Sequence, residues 1–226
     1  GRGSRMKHLS ENCPKPMLEV SGRSIIKRLI DELPSAGITD VVVNLNYMGQ
    51  TMHDHLDNIQ TPNIHFSWED ELLETGGGAL KALPLLGREP FWALNGDMLW
   101  HDGQTPMLER LKNAWDPEKM DILLLLHPKD NVPGFDGNGD YHIADDGRIT
   151  RTSGEDAAYV FAGARIAHPR IFDGVTDKRF SFLQLFDKAQ SEGRLYGMVH
   201  DGAWYHISNP DMLDATEREF VLKKTA

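Results

Sequence analysis

The sequence predicts an α/β fold, a mostly parallel sheet flanked by helices that forms a single domain over residues 1–226. Helix-like and strand-like patterns alternate between residues 17 and 126, as they do in parallel α/β sheets. Two continuous apolar runs, at residues 41–43 and 122–126, are typical of strands buried on both faces. A chain of 226 residues, of which 40% are hydrophobic and 26% charged, is long and apolar enough to bury a sizeable core.

The first half of the chain supplies the elements of this sheet in order. Ser24 can cap a helix whose apolar residues recur at positions 25, 26, 29, 30 and 33, and Gly37 ends it. A strand at 41–43 is followed by a predicted helix over 49–56 and an alternating strand over 64–68. His53 and His55 lie two positions apart on that helix and point to different faces, so we predict surface residues and not a metal pair.

The second half continues the pattern and adds a hairpin. We predict a helix over 105–115, a strand over 122–126 and a hairpin that turns at Asp146-Gly147. A strand over 159–166, a helix over 181–193 and a strand over 195–200 follow. A polar helix over 211–226 ends the chain.

Charge and composition narrow the class of partner. The 34 acidic and 24 basic residues give a net charge of −10, which disfavours a general nucleic-acid binder but allows a nucleotide pocket. Cys13 is the single cysteine, so an internal disulfide is excluded and a reducing compartment is favoured. No apolar run approaches the roughly 20 residues that span a bilayer. We therefore expect a cytoplasmic protein that binds neither nucleic acid nor membrane, and the oligomeric state is left open.

The first sixteen residues have the composition of a phosphate-binding segment. Gly1 and Gly3 allow backbone amides to converge on an anion without interference from a Cβ. Arg5 can offer a planar fork to phosphate oxygens, and Lys15 a point charge held between two prolines. The alternative interpretation is a solvated loop at the start of the chain.

Two further stretches predict ligand contacts beside that segment. Three glycines at positions 76–78 come just before a helical pattern, where free amides at a helix N-terminus favour anions. The alternative is a sharp strand-to-helix turn. Asn95-Gly96-Asp97 directly follows the apolar run at 91–94, so Asp97 is placed at the carboxyl end of a strand, where it can bind a hard cation.

These stretches resemble the signatures of the sugar-1-phosphate nucleotidyltransferases. The opening G-R-G-S-R-M, the P-K-P-M at 14–17 and the N-G-D at 95–97 resemble the family's glycine-rich, lysine and metal motifs. The stretch L-E-T-G-G-G-x-x-K-A-L-P from residue 73 is similar to that of uridylyltransferases that act on N-acetylmuramate 1-phosphate. The resemblance implies a Rossmann-like fold with a small antiparallel insertion near 134–165. It also implies a first strand upstream of Gly1, where this sequence opens.

The resemblance implies a role for each motif residue. Arg5 would hold the departing β- and γ-phosphates, Lys15 would offset charge on the α-phosphate and the sugar phosphate, and Asp97 would bind the metal. Asp140 and Gly163 would face the acceptor sugar. The nucleoside triphosphate would be contacted by residues of three segments, namely Gly1, Arg2, Gly3, Lys15, Glu74, Gly76, Gly77, Gly78 and Asn95.

The motif Trp204-Tyr205-His206-Ile207 departs from the family pattern at one important position. His206 stands where a second metal-binding aspartate is usual, and Ser208-Asn209 replaces Gly-Thr. Imidazole binds borderline ions better than Mg²⁺. We therefore predict a site for Mg²⁺, with Mn²⁺ as an alternative, built from Asp97, His206 and nucleotide phosphates. The alternative for His206 is a structural role among aromatic side chains.

The implied reaction joins a sugar 1-phosphate to a nucleoside triphosphate and releases pyrophosphate. The preferred pair is UTP and N-acetylmuramate 1-phosphate, in the recycling of cell-wall sugar. The alternatives are a transferase that uses GTP and mannose 1-phosphate or CTP and another phosphate, a regulatory protein that binds nucleotide sugar without turnover, and a glycosyltransferase. The last would usually require a D-x-D motif, and residues 95–97 provide one carboxylate.

Overall fold

The computed structural model of the protein describes residue 6 and residues 9–132 and 135–224. Helices and strands alternate through most of this part of the chain, so the predicted α/β class is confirmed. The helices are α1 Ile25–Glu32, α2 Gly49–Leu56, α3 Glu74–Leu86, α4 Met107–Ala114, α5 Leu183–Ser191 and α6 Pro210–Lys224. The strands are β1 Glu19–Val20, β2 Arg23–Ser24, β3 Asp40–Leu45, β4 Asn63–Trp68, β5 Phe91–Leu94, β6 Met98–His101, β7 Ile122–Pro128, β8 Tyr141–Ile143, β9 Ile149–Arg151, β10 Tyr159–Ala167, β11 Leu195–Val199 and β12 Ala203–His206.

The largest sheet is mixed, and not mostly parallel as the sequence predicts, and it is centred on β7 and β10. Its order is β11-β7-β10-β8-β9, and β5 also pairs with β10. Parallel pairing joins β11 to β7 and, in a separate sheet, β3 to β4, whereas the other described pairs are antiparallel. The predicted hairpin is β8–β9, which turns through Gly147 at φ +84° and forms the antiparallel insertion.

The two faces of this sheet are covered by different helices. On one face, α1, α4, β6 and β12 pack with Leu123 and Leu125 of β7. On the other face, α5 and the residues of α3 pack with Ile122, Leu124 and Leu126 of the same strand. Because successive side chains of a strand point to opposite faces, β7 is buried on both, as its apolar run predicts.

The strand β3 differs from its prediction. The run Val41-Val42-Val43 forms a strand but is half-buried rather than buried on both faces. The strand pairs with β4 alone among the described residues, and its small cluster of buried residues lies with α1 and α2. A β-branched run therefore predicted the strand correctly and its burial incorrectly.

The ends of several helices follow from local sequence. The Ser24 hydroxyl accepts a hydrogen bond from the Lys27 amide at 3.4 Å and caps α1. The chain leaves the following 3₁₀ turn at Gly37, whose φ of +80° is a left-handed conformation that favours glycine. No helix of the described residues is both long enough and apolar enough to cross a membrane.

Candidate active site

A lysine and an aspartate meet at the carboxyl end of β5. Lys15 lies in a 3₁₀ turn, Lys15–Met17, that begins after Pro14, and Asp97 lies in the short turn between β5 and β6. Lys15 Nζ donates a hydrogen bond to Asp97 Oδ2 at 2.6 Å, and the two side chains are 11% and 28% exposed. Pro16 packs so closely on Gly96 that a Cβ there would lie 2.9 Å from the proline Cγ. Glycine at position 96 therefore lets the lysine turn rest against the aspartate turn.

The pairing of β6 with β12 brings His206 to the same place. His206 lies opposite Met98 in the antiparallel register, and the amide of Ile207 donates to the carbonyl of Asp97 at 2.9 Å. His206 Nε2 is 3.6 Å from Asp97 Oδ2. The imidazole also stacks on Trp204, with ring centroids 5.8 Å apart. Both sequence-based interpretations of His206 thus have support, because it faces Asp97 and also packs on an aromatic ring.

Asp97 is ionised in this environment. Burial alone would raise the pKa of the carboxyl group, but the nearby imidazole of His206 and the charge and hydrogen bond of Lys15 outweigh it. The pKa of Asp97 is therefore held well below its usual range. The site thus presents a fixed carboxylate beside a fixed ammonium.

The donor set at Asp97 suits a cation that takes most of its ligands from elsewhere. The described residues contain no cluster of three or more histidine, cysteine or acidic side chains that could hold a metal. Asp97 and His206 supply one carboxylate and one imidazole, close enough together to face one ion. Mg²⁺ commonly binds one or two protein carboxylates and takes its other ligands from phosphate and water. The residues present therefore fit an ion that arrives with a polyphosphate.

The position of the glycines at 76–78 differs from the prediction. They lie inside the first turns of α3, which begins at Glu74, and not before the helix. The amides of Gly76 and Gly77 are not free, because both donate to the carbonyl of Phe180, at 2.9 and 3.1 Å. A Cβ at Gly76 would overlap the Phe180 ring, and one at Gly77 would overlap the carbonyl of Lys178. Close packing by residues 178–180 therefore explains these two glycines.

Glu74 combines exposure with an unusual backbone conformation. Its φ is +64°, a left-handed value that is uncommon for residues other than glycine and is often found at functional sites. Its carboxylate lies 3.3 Å from Arg179 Nε, and the side chain is 42% exposed. Glu74 thus projects from the start of α3 toward solvent.

Asn95 and Gly163 are neighbours across the pairing of β5 with β10. The Asn95 amide donates to the Gly163 carbonyl at 2.8 Å. Gly163 has φ +82° and lies at a bulge in β10, where the register with β7 shifts between Phe161 and Arg165. A Cβ at Gly163 would approach Met98 Sδ to 2.8 Å. The space beside the Gly163 Cα is thus filled by the side chain of Met98, and a contact of Gly163 with the sugar stays a prediction.

Asp140 lies at the entrance to β8, beside the same strand. Its Oδ2 accepts a hydrogen bond from the Phe161 amide at 2.9 Å, two residues before Gly163. The side chain is exposed. The structure therefore places the Asp140 carboxylate two residues from Gly163 along β10, and the role of the two residues toward a sugar stays a prediction.

Some predicted site residues lie outside the part of the chain that the structure describes. They are Gly1, Arg2, Gly3 and Arg5. Their roles remain predictions from the sequence.

Sequence reasoning missed two features of the site. Arg165, in β10, donates from Nη1 to Asn95 Oδ1 at 3.2 Å and is only 5% exposed. Its signal was a charged residue within an apolar strand. Glu69 is the second, because its carboxylate accepts from the Leu73 amide and the Asn44 side chain just before α3. No local pattern marked that network.

The fold is that of known nucleotide-sugar enzymes. The structure superposes with a TM-score of 0.79 on HddC from Yersinia pseudotuberculosis complexed with GMP-PN, at 23% identity over 97% of this chain and 96% of that chain. It superposes with a TM-score of 0.82 on a UDP-glucose pyrophosphorylase complexed with UDP-glucose, at 14% identity over 99% of this chain and 96% of the other. At these identities the likeness establishes the fold.

The sequence comparisons define the class of protein, a nucleotidyltransferase. The chain belongs to the family of the MobA-like NTP transferase domain, whose sequence model matches residues 1–199. It is 34% identical over 223 residues to the N-acetylmuramate alpha-1-phosphate uridylyltransferase of Caulobacter vibrioides, covering 96% of this chain and 92% of that protein. It is 28% identical over 211 residues to the enzyme of that name from Neisseria meningitidis, covering 92% and 89%. The predicted resemblance to sugar-1-phosphate nucleotidyltransferases is therefore confirmed.

Proposed function

We propose that the protein transfers the uridylyl group of UTP to N-acetylmuramate 1-phosphate and releases pyrophosphate. The observation that carries this proposal is the contact of Lys15 with Asp97 beside His206, at the carboxyl end of β5. A paired ammonium and carboxylate at that edge suit a reaction between two phosphate anions. The relatives from Caulobacter and Neisseria support the choice of substrates.

The proposed chemistry requires positioning and charge neutralisation rather than proton abstraction. An oxygen of the sugar phosphate attacks the α-phosphorus of UTP, a new P–O bond forms, and the bond to the departing pyrophosphate breaks. The attacking oxygen is already anionic, so no general base is needed. Catalysis then consists of holding two anions together and stabilising the charge that accumulates between them.

Lys15 supplies that neutralisation. Its ammonium is fixed against Asp97 before any substrate binds, so little reorganisation is needed when the phosphates arrive. It would offset charge on the α-phosphate and the sugar phosphate. Arg5 would hold the β- and γ-phosphates that depart.

Asp97 and His206 would hold a divalent cation, Mg²⁺ or Mn²⁺. When bound, such an ion neutralises negative charge on the phosphates. The hydrogen bond from the Ile207 amide fixes the Asp97 backbone, and stacking on Trp204 fixes the imidazole. The chain's contribution is thus to hold both donors in place.

The remaining predicted contacts divide between nucleoside and sugar. Glu74 and Asn95, at the start of α3 and the end of β5, would contact the nucleoside together with the segment that holds Gly1, Arg2 and Gly3. Asp140 and Gly163 would meet the sugar. These substrates are metabolites of cell-wall sugar recycling, so the proposed compartment is the cytoplasm.

Transfer from GTP to mannose 1-phosphate is the second candidate. The chain is 36% identical over 227 residues to a mannose-1-phosphate guanyltransferase of Hypocrea jecorina. It covers 61% of that protein, compared with 92% of the Caulobacter uridylyltransferase. The stretch L-E-T-G-G-G-x-x-K-A-L-P from residue 73, which is similar to that of the uridylyltransferases, favours the first candidate.

Pyrophosphate release tests both candidates in one experiment. The purified protein is given each of the four nucleoside triphosphates with N-acetylmuramate 1-phosphate or mannose 1-phosphate, and Mg²⁺ or Mn²⁺. We expect release with UTP and N-acetylmuramate 1-phosphate, and its loss in Asp97→Ala. Release with GTP and mannose 1-phosphate alone would establish the second candidate. Binding of UTP without release with either sugar would indicate a regulatory protein.

A further inference from the structure

Arg165 is a buried cation that the reaction outlined above does not use. It lies in β10 two residues after Gly163 and is 5% exposed. Its one hydrogen bond among the described residues runs from Nη1 to Asn95 Oδ1, at 3.2 Å. Its Nε is fully buried and has no hydrogen-bond partner in the described part of the chain. None of the described acidic side chains forms an ion pair with it.

Aromatic rings surround the Arg165 guanidinium and offset part of the hydration that it loses on burial. Its central carbon lies 4.1 Å from the centroid of the Phe182 ring and 5.8 Å from those of Phe161 and Phe186. Cation–π attraction offsets some of the loss of hydration. The rings also fix the plane of the guanidinium. They offer neither a negative charge nor a strong acceptor, so the donor at Nε remains unsatisfied.

A purely structural role does not account for this arrangement. Buried arginines are usually paired, because a buried charge without a partner is costly. Burial lowers the pKa of Arg165 to about 10, so the group keeps its charge at neutral pH. The hydroxyl of Tyr141 interacts electrostatically with Arg165 and is likewise buried without a described partner. Two unsatisfied polar groups on one side of β10 point to an acceptor that arrives with a ligand.

The location of Arg165 identifies that ligand as the acceptor sugar. Asn95, which receives its hydrogen bond, opens the turn that carries Asp97. The Asn95 amide is bonded to Gly163, and Asp140 is bonded to the amide of Phe161. The guanidinium therefore lies beside the residues proposed to meet the sugar.

We propose that Arg165 recognises a carboxylate on the acceptor sugar and so selects an acidic sugar 1-phosphate over a neutral one. This inference rests on the proposed function, because N-acetylmuramate differs from N-acetylglucosamine by a lactyl ether that ends in a carboxylate. A planar guanidinium matches a carboxylate with two parallel hydrogen bonds. A neutral sugar would leave the buried charge without an acceptor. A site built to hydrogen-bond one substrate group strongly rejects analogues that lack the group.

The test compares wild type with Arg165→Gln and Arg165→Lys on three acceptors. They are N-acetylmuramate 1-phosphate, its methyl ester, and N-acetylglucosamine 1-phosphate, each with UTP. Wild type should prefer the free acid over its ester in kcat/KM. Arg165→Gln should lower that preference roughly 10- to 100-fold, the value of a hydrogen bond to a charged group, while kcat/KM for the neutral acceptors stays near wild type. Arg165→Lys should retain part of the preference.

A control arginine and an asparagine variant separate specificity from structure. Arg148 is an exposed arginine paired with Asp146, so Arg148→Gln should leave all three acceptors unaffected. If Arg165 only orients Asn95, Arg165→Gln should behave as Asn95→Ala does and slow the acid, the ester and the neutral sugar equally. That result, or equal use of acid and ester by wild type, would overturn the inference. If Arg165→Gln does not fold, Arg165→Lys tests the residue, and equal use of acid and ester by wild type overturns the inference without any variant.

Failure of the proposed function can be distinguished from failure of the inference about Arg165. If wild type does not turn over N-acetylmuramate 1-phosphate, the same variants are assayed with UTP and either glucuronate 1-phosphate or glucose 1-phosphate. A preference for the acidic sugar that Arg165→Gln removes would retain the role of Arg165 with another substrate. A preference for the neutral sugar would reject it.

Discussion

Lys15 Nζ lies 2.6 Å from Asp97 Oδ2, although the two residues are 82 positions apart in the chain. The lysine comes from a proline-bounded turn and the aspartate from the end of β5, and Gly96 allows the two segments to touch. The pair places a positive charge and the carboxylate proposed to bind a metal side by side before substrate arrives. Such preorganisation reduces the rearrangement that the reaction requires.

We predict that Lys15→Ala abolishes most turnover without unfolding the protein. Removing a fixed cation from a phosphoryl-transfer site should lower kcat about 100-fold or more. The free energy of unfolding should fall by about 2 kcal/mol, since one hydrogen bond between charged groups is lost. Pyrophosphate release and urea unfolding measure the two effects.

The control for this prediction is Lys119→Ala. Lys119 is an exposed lysine that pairs with Asp116 three positions away. Its removal should change neither turnover nor stability measurably. A wild-type rate in Lys15→Ala would remove Lys15 from the mechanism.

We predict that His206→Asp shifts the metal preference toward Mg²⁺. A carboxylate in place of the imidazole would create two acidic donors, and hard cations favour oxygen over nitrogen. The ratio of kcat/KM in Mn²⁺ to that in Mg²⁺ should fall about tenfold relative to wild type. His206→Ala has neither an imidazole nor a carboxylate at position 206, so it should lose activity with both metals. An unchanged ratio in His206→Asp would mean that position 206 does not contact the ion.

The sequence predicted the site best where a short motif determines both the type of a residue and its position in the fold. Asn95-Gly96-Asp97 follows an apolar strand, so the position of Asp97 at a strand end could be predicted from a few neighbouring residues. The contact of His206 with Asp97 needed the antiparallel pairing of β6 with β12. Neither strand was predicted, and the contact was reached only through the family resemblance.

Long-range packing accounts for what the sequence did not reveal. The sequence predicts free amides at Gly76 and Gly77, but the Phe180 carbonyl, about a hundred positions later, accepts hydrogen bonds from both. Arg165 looked like one polar residue in a strand, because the aromatic rings around it come from Phe161, Phe182 and Phe186. Half-burial of residues 41–43 likewise depends on which strands lie beside β3. Such neighbours are set by the whole fold.

We predict that Gly77→Ala lowers both stability and UTP affinity. An added Cβ would overlap the Lys178 carbonyl and approach Leu73 Cβ to 3.1 Å, so residues 178–180 and the start of α3 must separate. Overpacking of this kind should cost about 2 kcal/mol in the free energy of unfolding. Because Glu74 and its neighbours are proposed to contact the nucleoside, UTP binding measured by calorimetry should weaken as well.

Gly174→Ala separates backbone strain from this clash. Gly174, unlike Gly77, has a positive φ, +79°, and no heavy atom lies within 4 Å of an added Cβ. Its substitution should cost about 1 kcal/mol of stability, because an L-residue is strained in the left-handed conformation, and should leave UTP affinity unchanged. If Gly77→Ala binds UTP as wild type does, the start of α3 does not contact the nucleotide.

We predict that Asp121→Asn destabilises the protein at neutral pH and much less in acid. Asp121 is 4% exposed, and its Oδ1 accepts hydrogen bonds from Arg170 Nε at 2.5 Å and Arg194 Nε at 2.8 Å. Burial raises the pKa of this carboxyl group, but the two arginines outweigh burial and the pKa is lowered overall. Removing the carboxylate should cost about 2 kcal/mol, because both arginines remain partly solvated.

The pH dependence follows from the direction of that shift. The folded pKa of Asp121 lies below its unfolded value of about 3.9, so the stabilisation is complete above that pH and is lost as the pH falls through the folded pKa. Urea unfolding at pH 7 and pH 3 should therefore show a larger difference between wild type and Asp121→Asn at pH 7. Asp146→Asn, which removes an exposed partner of Arg148, should match wild type at both pH values. A difference for Asp121→Asn that grows on acidification would contradict the assigned ion pairs.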